Sequence, residues 1–191
     1  MYHKQRQIKK LTTYIPVAET FRALASEQDC VFLDSSLVND LGRFSIIGAC
    51  PYLKLVKDGE KFFINEKEET GITFEDYLRN YLRDHVDQNE SELPLVSGAV
   101  GYFSYDYGRK LQGVPSGEKD LVEIPDAVLT FYDVYLIEDC HQKETYLVAN
   151  GITADASEKI QEMEQKIRQR TERKEEQKVP HNIIVTPNFE K

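Results

Sequence analysis

Several stretches of this sequence carry residue types that can do chemistry. Asp34-Ser35-Ser36 ends an apolar run, where short polar side chains either hold a small polar ligand or close a turn. Arg43 stands just ahead of another apolar run; its planar guanidinium can clamp a ligand carboxylate bidentately or form an internal salt bridge. Cys140-His141 offers two metal-ligand types, but no third ligand falls at a suitable spacing, and the pair also reads as a turn between strands. Gly98-x-x-Gly101 lacks the Gly-Lys-Ser/Thr continuation of a phosphate loop, so its glycines suit a close approach of backbone on a strand. Tyr102, Phe103, Tyr105 and Tyr107 can stack on bases, as an RNA-binding sheet does, or fill a core. No Ser/His/Asp or Cys/His arrangement accompanies them: His3, His85, His141 and His181 are scattered in mostly polar surroundings. The residues by themselves define no catalytic centre.

These stretches need elements to position them. Residues 8–14 read as a strand, and a helix follows from Pro16 to Ser26, with proline in the first turn and Val17, Phe21, Leu24 and Ala25 on one face. Cys30 to Leu33 is a short strand-type run. A loop centred on Asn39-Asp40 leads to a strand over 43–48, Pro51 breaks it, and a further strand begins at Tyr52. Lys57-Asp58-Gly59-Glu60 predicts a hairpin between 52–57 and 60–64, with Asp58 and Gly59 as the two positive-φ residues of a type I′ turn. Thr73-x-x-Asp76 resembles a capping box, and Phe74, Tyr77, Leu78, Tyr81, Leu82 and Val86 then repeat at helical spacing. After a polar loop over 87–93, residues 97–109 read as a glycine-containing strand running into a bend or a short helix. A Gly/Pro/charge loop spans 110–125. Residues 127–138 and 144–148 form a long antiparallel pair, and 153–178 a charged helix whose narrow stripe of Ile160, Met163 and Ile167 suits a surface or connecting position. Residues 182–189 are again strand-like. Many strands, short turns and few helices predict an α+β fold of antiparallel β-sheets flanked by helices.

The chain has 191 residues, a formal net charge of −9, 11 Tyr, 9 Phe and no Trp. That length suits one large domain or two small ones, and the aromatic content argues against wholesale disorder. An acidic balance opposes a nucleic-acid partner, because binding phosphate backbones needs clustered Lys and Arg. Apolar runs are too short to span a bilayer, and no apolar stretch follows the basic first ten residues, so neither a membrane nor a secretory signal is expected. Three cysteines without C-x-x-C spacing indicate no disulfide framework or zinc site; Cys30 and Cys50 read as small core residues, and a reducing, cytoplasmic compartment fits.

In order along the chain come Phe32-Leu33-Asp34-Ser35, Gly42-Arg43-Phe44-Ser45-Ile46-Ile47-Gly48 with Pro51, the run Gly98 to Arg109, and Ile124-Pro125-Asp126 before Tyr132-Asp133. This ordered set resembles the N-terminal region of component I of anthranilate synthase and aminodeoxychorismate (para-aminobenzoate) synthase. Tyr105-Asp106-Tyr107-Gly108-Arg109 resembles the aminodeoxychorismate branch more closely. The resemblance implies an α/β sandwich and a division into residues 1–150, the N-terminal-like domain, and 151–191, a connecting helix and the start of a chorismate-binding domain. It implies that catalysis and Mg2+ binding belong to that C-terminal domain, which is expected to be missing here, as from a truncated chain or split gene. The chain itself would carry no cofactor and act as a regulatory or scaffolding part. The partners implied are the chorismate-binding domain and a glutamine amidotransferase component II, whose ammonia displaces the 4-hydroxyl of chorismate. L-tryptophan is a further implied ligand, with Asp34, Ser35, Leu41, Gly42, Arg43 and Phe44 falling on one half of its pocket. Asp34 stands where family members often carry Glu. The alternatives are the N-terminal domain of an anthranilate synthase component I with a tryptophan feedback site, or a stand-alone amino-acid-binding or interaction module.

Overall fold

A computed structural model describes residues 6–24, 29–39, 41–114 and 124–176. Twelve elements follow in the order β1 (Gln7–Lys10), α1 (Val17–Leu24), β2 (Val31–Leu33), β3 (Phe44–Asp58), β4 (Lys61–Ile64), β5 (Lys67–Glu69), α2 (Phe74–Asp84), β6 (Ala99–Phe103), α3 (Tyr105–Leu111), β7 (Ala127–Asp139), β8 (Glu144–Ala149) and α4 (Ala156–Glu176). The fold is α+β, and its strands form one antiparallel eight-stranded sheet. The two long strands, β3 and β7, pair along their length at its centre. β2 and β4 line the outer edge of β3, while β8 and β6 line that of β7; β1 and β5 extend the sheet beyond β8 and β4.

Three apolar clusters cover the sheet. One packs α1 and α4 on it through Val17, Leu24, Ile160, Met163 and Ile167 against Ile47, Val134, Leu136 and Leu147. A second packs Phe74 and the Tyr77–Tyr81 stripe of α2 over Leu53, Leu55, Phe62 and Phe131. The third tucks Leu93 and Val96, from the connection after α2, over Tyr132, Tyr135, Ile137 and Val148. The charged α4 therefore lies on the surface by its outer face while its narrow stripe is buried in the sheet's own packing. No helix among the described residues is long and apolar enough to cross a membrane.

Local chemistry explains most of the elements. Thr73 caps α2, its hydroxyl accepting from Asp76 N at 3.1 Å and donating to the Asp76 carboxylate at 3.0 Å. Ser104 caps α3 in the same way, accepting from Tyr107 N at 3.0 Å. Glu138, buried on β7, accepts Val17 N at 2.9 Å at the start of α1 and the Tyr14 hydroxyl.

Three expectations need correction. Pro51 does not end a strand: β3 runs on through it, because Cys50 takes a φ of 55° and the register against β7 shifts between Pro51 and Leu53. Such an irregularity is where a sheet tolerates a residue without an N–H. The hairpin turn sits one residue later than Asp58-Gly59. Asp58 is still paired with Lys61, the loop is Gly59-Glu60, and of these residues only Gly59 has a positive φ, 55°. That is the Gly-first pattern of a two-residue turn. β5 has no counterpart in the sequence reading; it returns through Asn65-Glu66, both left-handed at 46° and 68°, although neither is glycine. The strand-like stretch 182–189 lies outside the described residues.

Candidate functional site

The residues proposed from the sequence as half of a ligand pocket lie between β2 and the start of β3. Asp34 is exposed and accepts a hydrogen bond from Ser45 Oγ at 3.3 Å. Ser35 turns inward: its hydroxyl donates to Phe44 O at 2.6 Å and its N–H donates to Ser45 Oγ at 2.9 Å. Asn39 organises the loop between them, its side-chain oxygen accepting from Leu41 N at 2.9 Å and Gly42 N at 2.8 Å. This is the asparagine turn that its residue type favours. Leu41 is 98% exposed. Gly42 passes tightly under the loop: a Cβ there would lie 2.1 Å from Leu37 O.

Arg43 resolves toward the internal salt bridge. Its Nε and a terminal nitrogen both donate to Asp139 Oδ2, at 2.9 and 2.5 Å, and its guanidinium lies 4.7 Å from the centre of the Phe44 ring. Asp139, 96 residues away in sequence at the end of β7, also accepts His141 N and Gln142 N on Oδ1. The backbone between them is joined as well, Cys140 N donating to Arg43 O at 2.8 Å. Burial works to raise the Asp139 carboxyl, yet the bonds from Arg43, Gln142 and His141 outweigh it and hold it below the ordinary carboxylate range. Ser45, Asp139 and Asn39 thus belong to this site although the sequence did not single them out as ligand residues. Only the Asn-Asp loop signal pointed to one of them.

A pH prediction follows from the Arg43–Asp139 pair. A carboxyl with a depressed folded-state pKa stabilises the fold fully above its unfolded value, about 3.9, and that stabilisation is lost as pH falls through the folded value. Urea melts from pH 7 into the acid range should therefore show the gap between the wild-type chain and Arg43→Ala narrowing toward the acid end. A gap that stays constant with pH would contradict this.

The other motifs are also built into the frame. Gly101 lets β6 approach β7, as expected for a strand glycine: a Cβ there would meet Val128 O at 1.8 Å. Of the four aromatics around it, Phe103 and Tyr107 pack on Phe74, with ring centres 6.4 and 6.3 Å away, whereas Tyr102 and Tyr105 are exposed, Tyr105 at 90%. The Tyr107 hydroxyl donates to Glu75 at 2.9 Å; burial first, then this bond, pushes its pKa up to about 12. Arg109 Nε binds Asp106 at 2.8 Å and its terminal nitrogen binds Val114 O. Asp126 joins three elements: its carboxylate takes Lys110 and Gly59 N, and its carbonyl takes Ser104 N. Cys140 lies buried beside Ser45 and His141 occupies the β7–β8 turn, the turn reading of that pair. Among the described residues no three His, Cys, Asp or Glu side chains are grouped so that they could hold a metal ion.

A family model described as chorismate binding enzyme matches residues 34–191. The chain belongs to the chorismate-binding enzyme family. Aminodeoxychorismate synthase component 1 of Escherichia coli K12 is 35% identical over 109 residues, covering 54% of this chain and 24% of that protein. Anthranilate synthase component 1 of Mycobacterium tuberculosis H37Rv is 30% identical over 142 residues, covering 69% of this chain and 28% of its own length. The chain thus spans about a quarter of each of these relatives. In fold, this chorismate-binding family member is similar to the crystal structure of anthranilate synthase component I from Streptococcus pneumoniae TIGR4. There the TM-score is 0.52 at 24% identity, over 87% of this chain and 35% of that one.

Proposed function

We propose that this chain is the N-terminal, non-catalytic part of an aminodeoxychorismate synthase component 1, serving as a scaffold and as one wall of an amino-acid pocket. What supports this reading is the use made of the motif side chains. Ser35, Arg43, Arg109, Asp126 and Asp133 engage their polar atoms with the chain's own backbone and with side chains such as Asp139, Asp106, Lys110 and Thr153. Groups so engaged hold a frame; they are not poised to move protons on ammonia or chorismate.

In this reading residues 1–150 form the N-terminal domain, and 151–191 lead into a chorismate-binding domain that supplies the reacting groups and holds magnesium. Ammonia comes from a glutamine amidotransferase component II and displaces the 4-hydroxyl of chorismate. The pocket wall runs from Asp34 and Ser35 to Leu41, Gly42, Arg43 and Phe44. Exposed Asp34 faces the ammonium of an amino acid such as L-tryptophan, with Leu41 and Phe44 beside its ring. One wall alone buries little of such a ligand.

The test uses the purified 191-residue chain. With chorismate, ammonia and magnesium it should form no aminodeoxychorismate, and calorimetry with L-tryptophan should give only heat of dilution. Unaided turnover would overturn the non-catalytic reading, and micromolar tryptophan affinity would overturn the shared pocket. A second reading places the chain in the anthranilate branch, favoured by the longer match, 142 residues against 109, to anthranilate synthase component 1. Rescue of a tryptophan auxotroph, rather than a para-aminobenzoate auxotroph, by the full-length gene that includes the chorismate-binding domain would select it.

A further inference from the structure

The three cysteines differ in setting. Cys140 is buried, its sulfur 3.8 Å from Ser45 Oγ. Cys30 and Cys50 are half-buried, and both pack against the cluster under α1 and α4. Both stand next to the end of the β2–β3 pairing. β2 pairs with β3 from Val31 and Gly48 onward, and carrying that register one residue back beyond the strand would set Cys30 opposite Ala49, with Cys50 next along β3. Two further bonds hold the strands together here: the Tyr132 hydroxyl donates to Asp29 O at 2.9 Å, and Lys54 Nζ binds the Asp29 carboxylate at 3.1 Å. Tyr132 is itself the register partner of Pro51.

Ordinary antiparallel spacing puts such diagonal Cα atoms about 6 Å apart. That lies inside the roughly 4.4–6.8 Å that a disulfide requires. Regular alternation would send Cys50 to the face opposite Ala49. Its φ of 55° interrupts the alternation, and Cys50 packs on the same cluster as Cys30 and Ala49. Lys159 of α4, whose ammonium bonds Glu162 at 3.1 Å, is within electrostatic reach of Cys50.

We propose that Cys30 and Cys50 are a redox-responsive thiol pair that closes to a disulfide in the presence of peroxide. The Cys50 thiolate attacks one oxygen of hydrogen peroxide, the O–O bond breaks, and the departing hydroxide takes a proton to leave as water. The Cys30 thiol then attacks the resulting sulfenic sulfur; the S–O bond breaks and a second water leaves. Two thiols lose two electrons, and one peroxide is reduced to two waters. The bond closes a loop around residues 31–49, the segment that carries Ser35 and Arg43. Oxidation therefore acts on the backbone that sets the candidate pocket wall.

The experiment treats the purified chain with hydrogen peroxide and follows intact mass and a non-reduced tryptic map. The expected result is a loss of two hydrogens and one linked species joining peptides 23–43 and 44–54, reversed by dithiothreitol. Cys30→Ser should instead leave Cys50 as a sulfenic acid that dimedone traps, and Cys140→Ser should leave the linkage unchanged. A disulfide that uses Cys140, a dimer linked between chains, or thiols that stay unmodified where an exposed-cysteine peptide is fully oxidised would overturn the proposal.

Discussion

Replacing Gly101 with alanine should destabilise the fold by about 3 kcal/mol, at the upper end of what overpacking costs, whereas Gly108→Ala in the same motif should stabilise it. The two glycines sit seven residues apart in sequence but meet opposite surroundings. At Gly101 an added methyl would lie 1.8 Å from Val128 O, 2.8 Å from Val128 C and 3.0 Å from Leu129 Cα. All three atoms are backbone of the central strand, so no side chain can swing aside. Relief requires β6 to lift from β7, which breaks the ladder from Ala99 to Phe103 and loosens Phe103 from Phe74. At Gly108, inside α3, nothing lies within 4 Å of the added methyl. Alanine there restricts the unfolded chain and gains roughly 0.5–1 kcal/mol. For a chain of this size 3 kcal/mol corresponds to a fall of roughly 6–12 °C in melting temperature. Thermal melts of the two variants check the opposite signs, and a Gly101→Ala chain as stable as wild type would show that β6 does not pack as described.

Local signals carried the elements, and long-range pairing carried the site. The amphipathic spacing and Thr73 cap of α2, the run of the glycine-containing strand into a bend or short helix and the β7–β8 pair are all encoded within a few residues, so each was visible in sequence, whereas the Ser104 cap of α3 was not singled out. The continuation of β3 through Pro51 was not, because it depends on the left-handed Cys50 and on β7 holding the strand from its other side. The exact hairpin loop was misplaced by one residue for a similar reason: pairing of Asp58 with Lys61 is set by register, not by the preference of Asp-Gly alone. Arg43 remained open between a ligand clamp and a salt bridge until Asp139, 96 residues on, was placed beside it. Ser35 was identifiable as a polar residue at a strand end, but its bond to Phe44 O exists only once β2 and β3 are side by side. A sequence can show that a polar group needs a partner; the fold decides whether that partner is internal.

Asp133 supplies the strongest case of an internal partner, and Asp133→Ala should cost about 3 kcal/mol, with Asp133→Asn losing a smaller share. Its side chain is fully buried in β7 and accepts three hydrogen bonds from the connection into α4: Ile152 N at 3.0 Å, Thr153 N at 2.7 Å and the Thr153 hydroxyl at 2.5 Å. The carbonyl of Asp133 accepts Asn150 N and Asn150 Nδ2, and Asn150 in turn reaches Val96 O and receives Arg6. Asp133 therefore ties the end of β8 and the connection into α4 to the central strand, and Asn150 extends the link to the loop under the third cluster. Alanine removes every side-chain acceptor and leaves a void. Asparagine keeps the volume and one oxygen, but turns an amide N–H₂ toward donors. Ile152 and Thr153 are exposed, so water can replace part of what is lost, which keeps the cost below the sum of three charged hydrogen bonds. Hydrogen exchange locates the effect: the amides of Asn150, Ile152 and Thr153 should lose protection before those of β3. Variants within about 0.5 kcal/mol of wild type, with these amides still protected, would mean that the α4 connection is held by the apolar stripe of Ile160, Met163 and Ile167 rather than by this carboxylate.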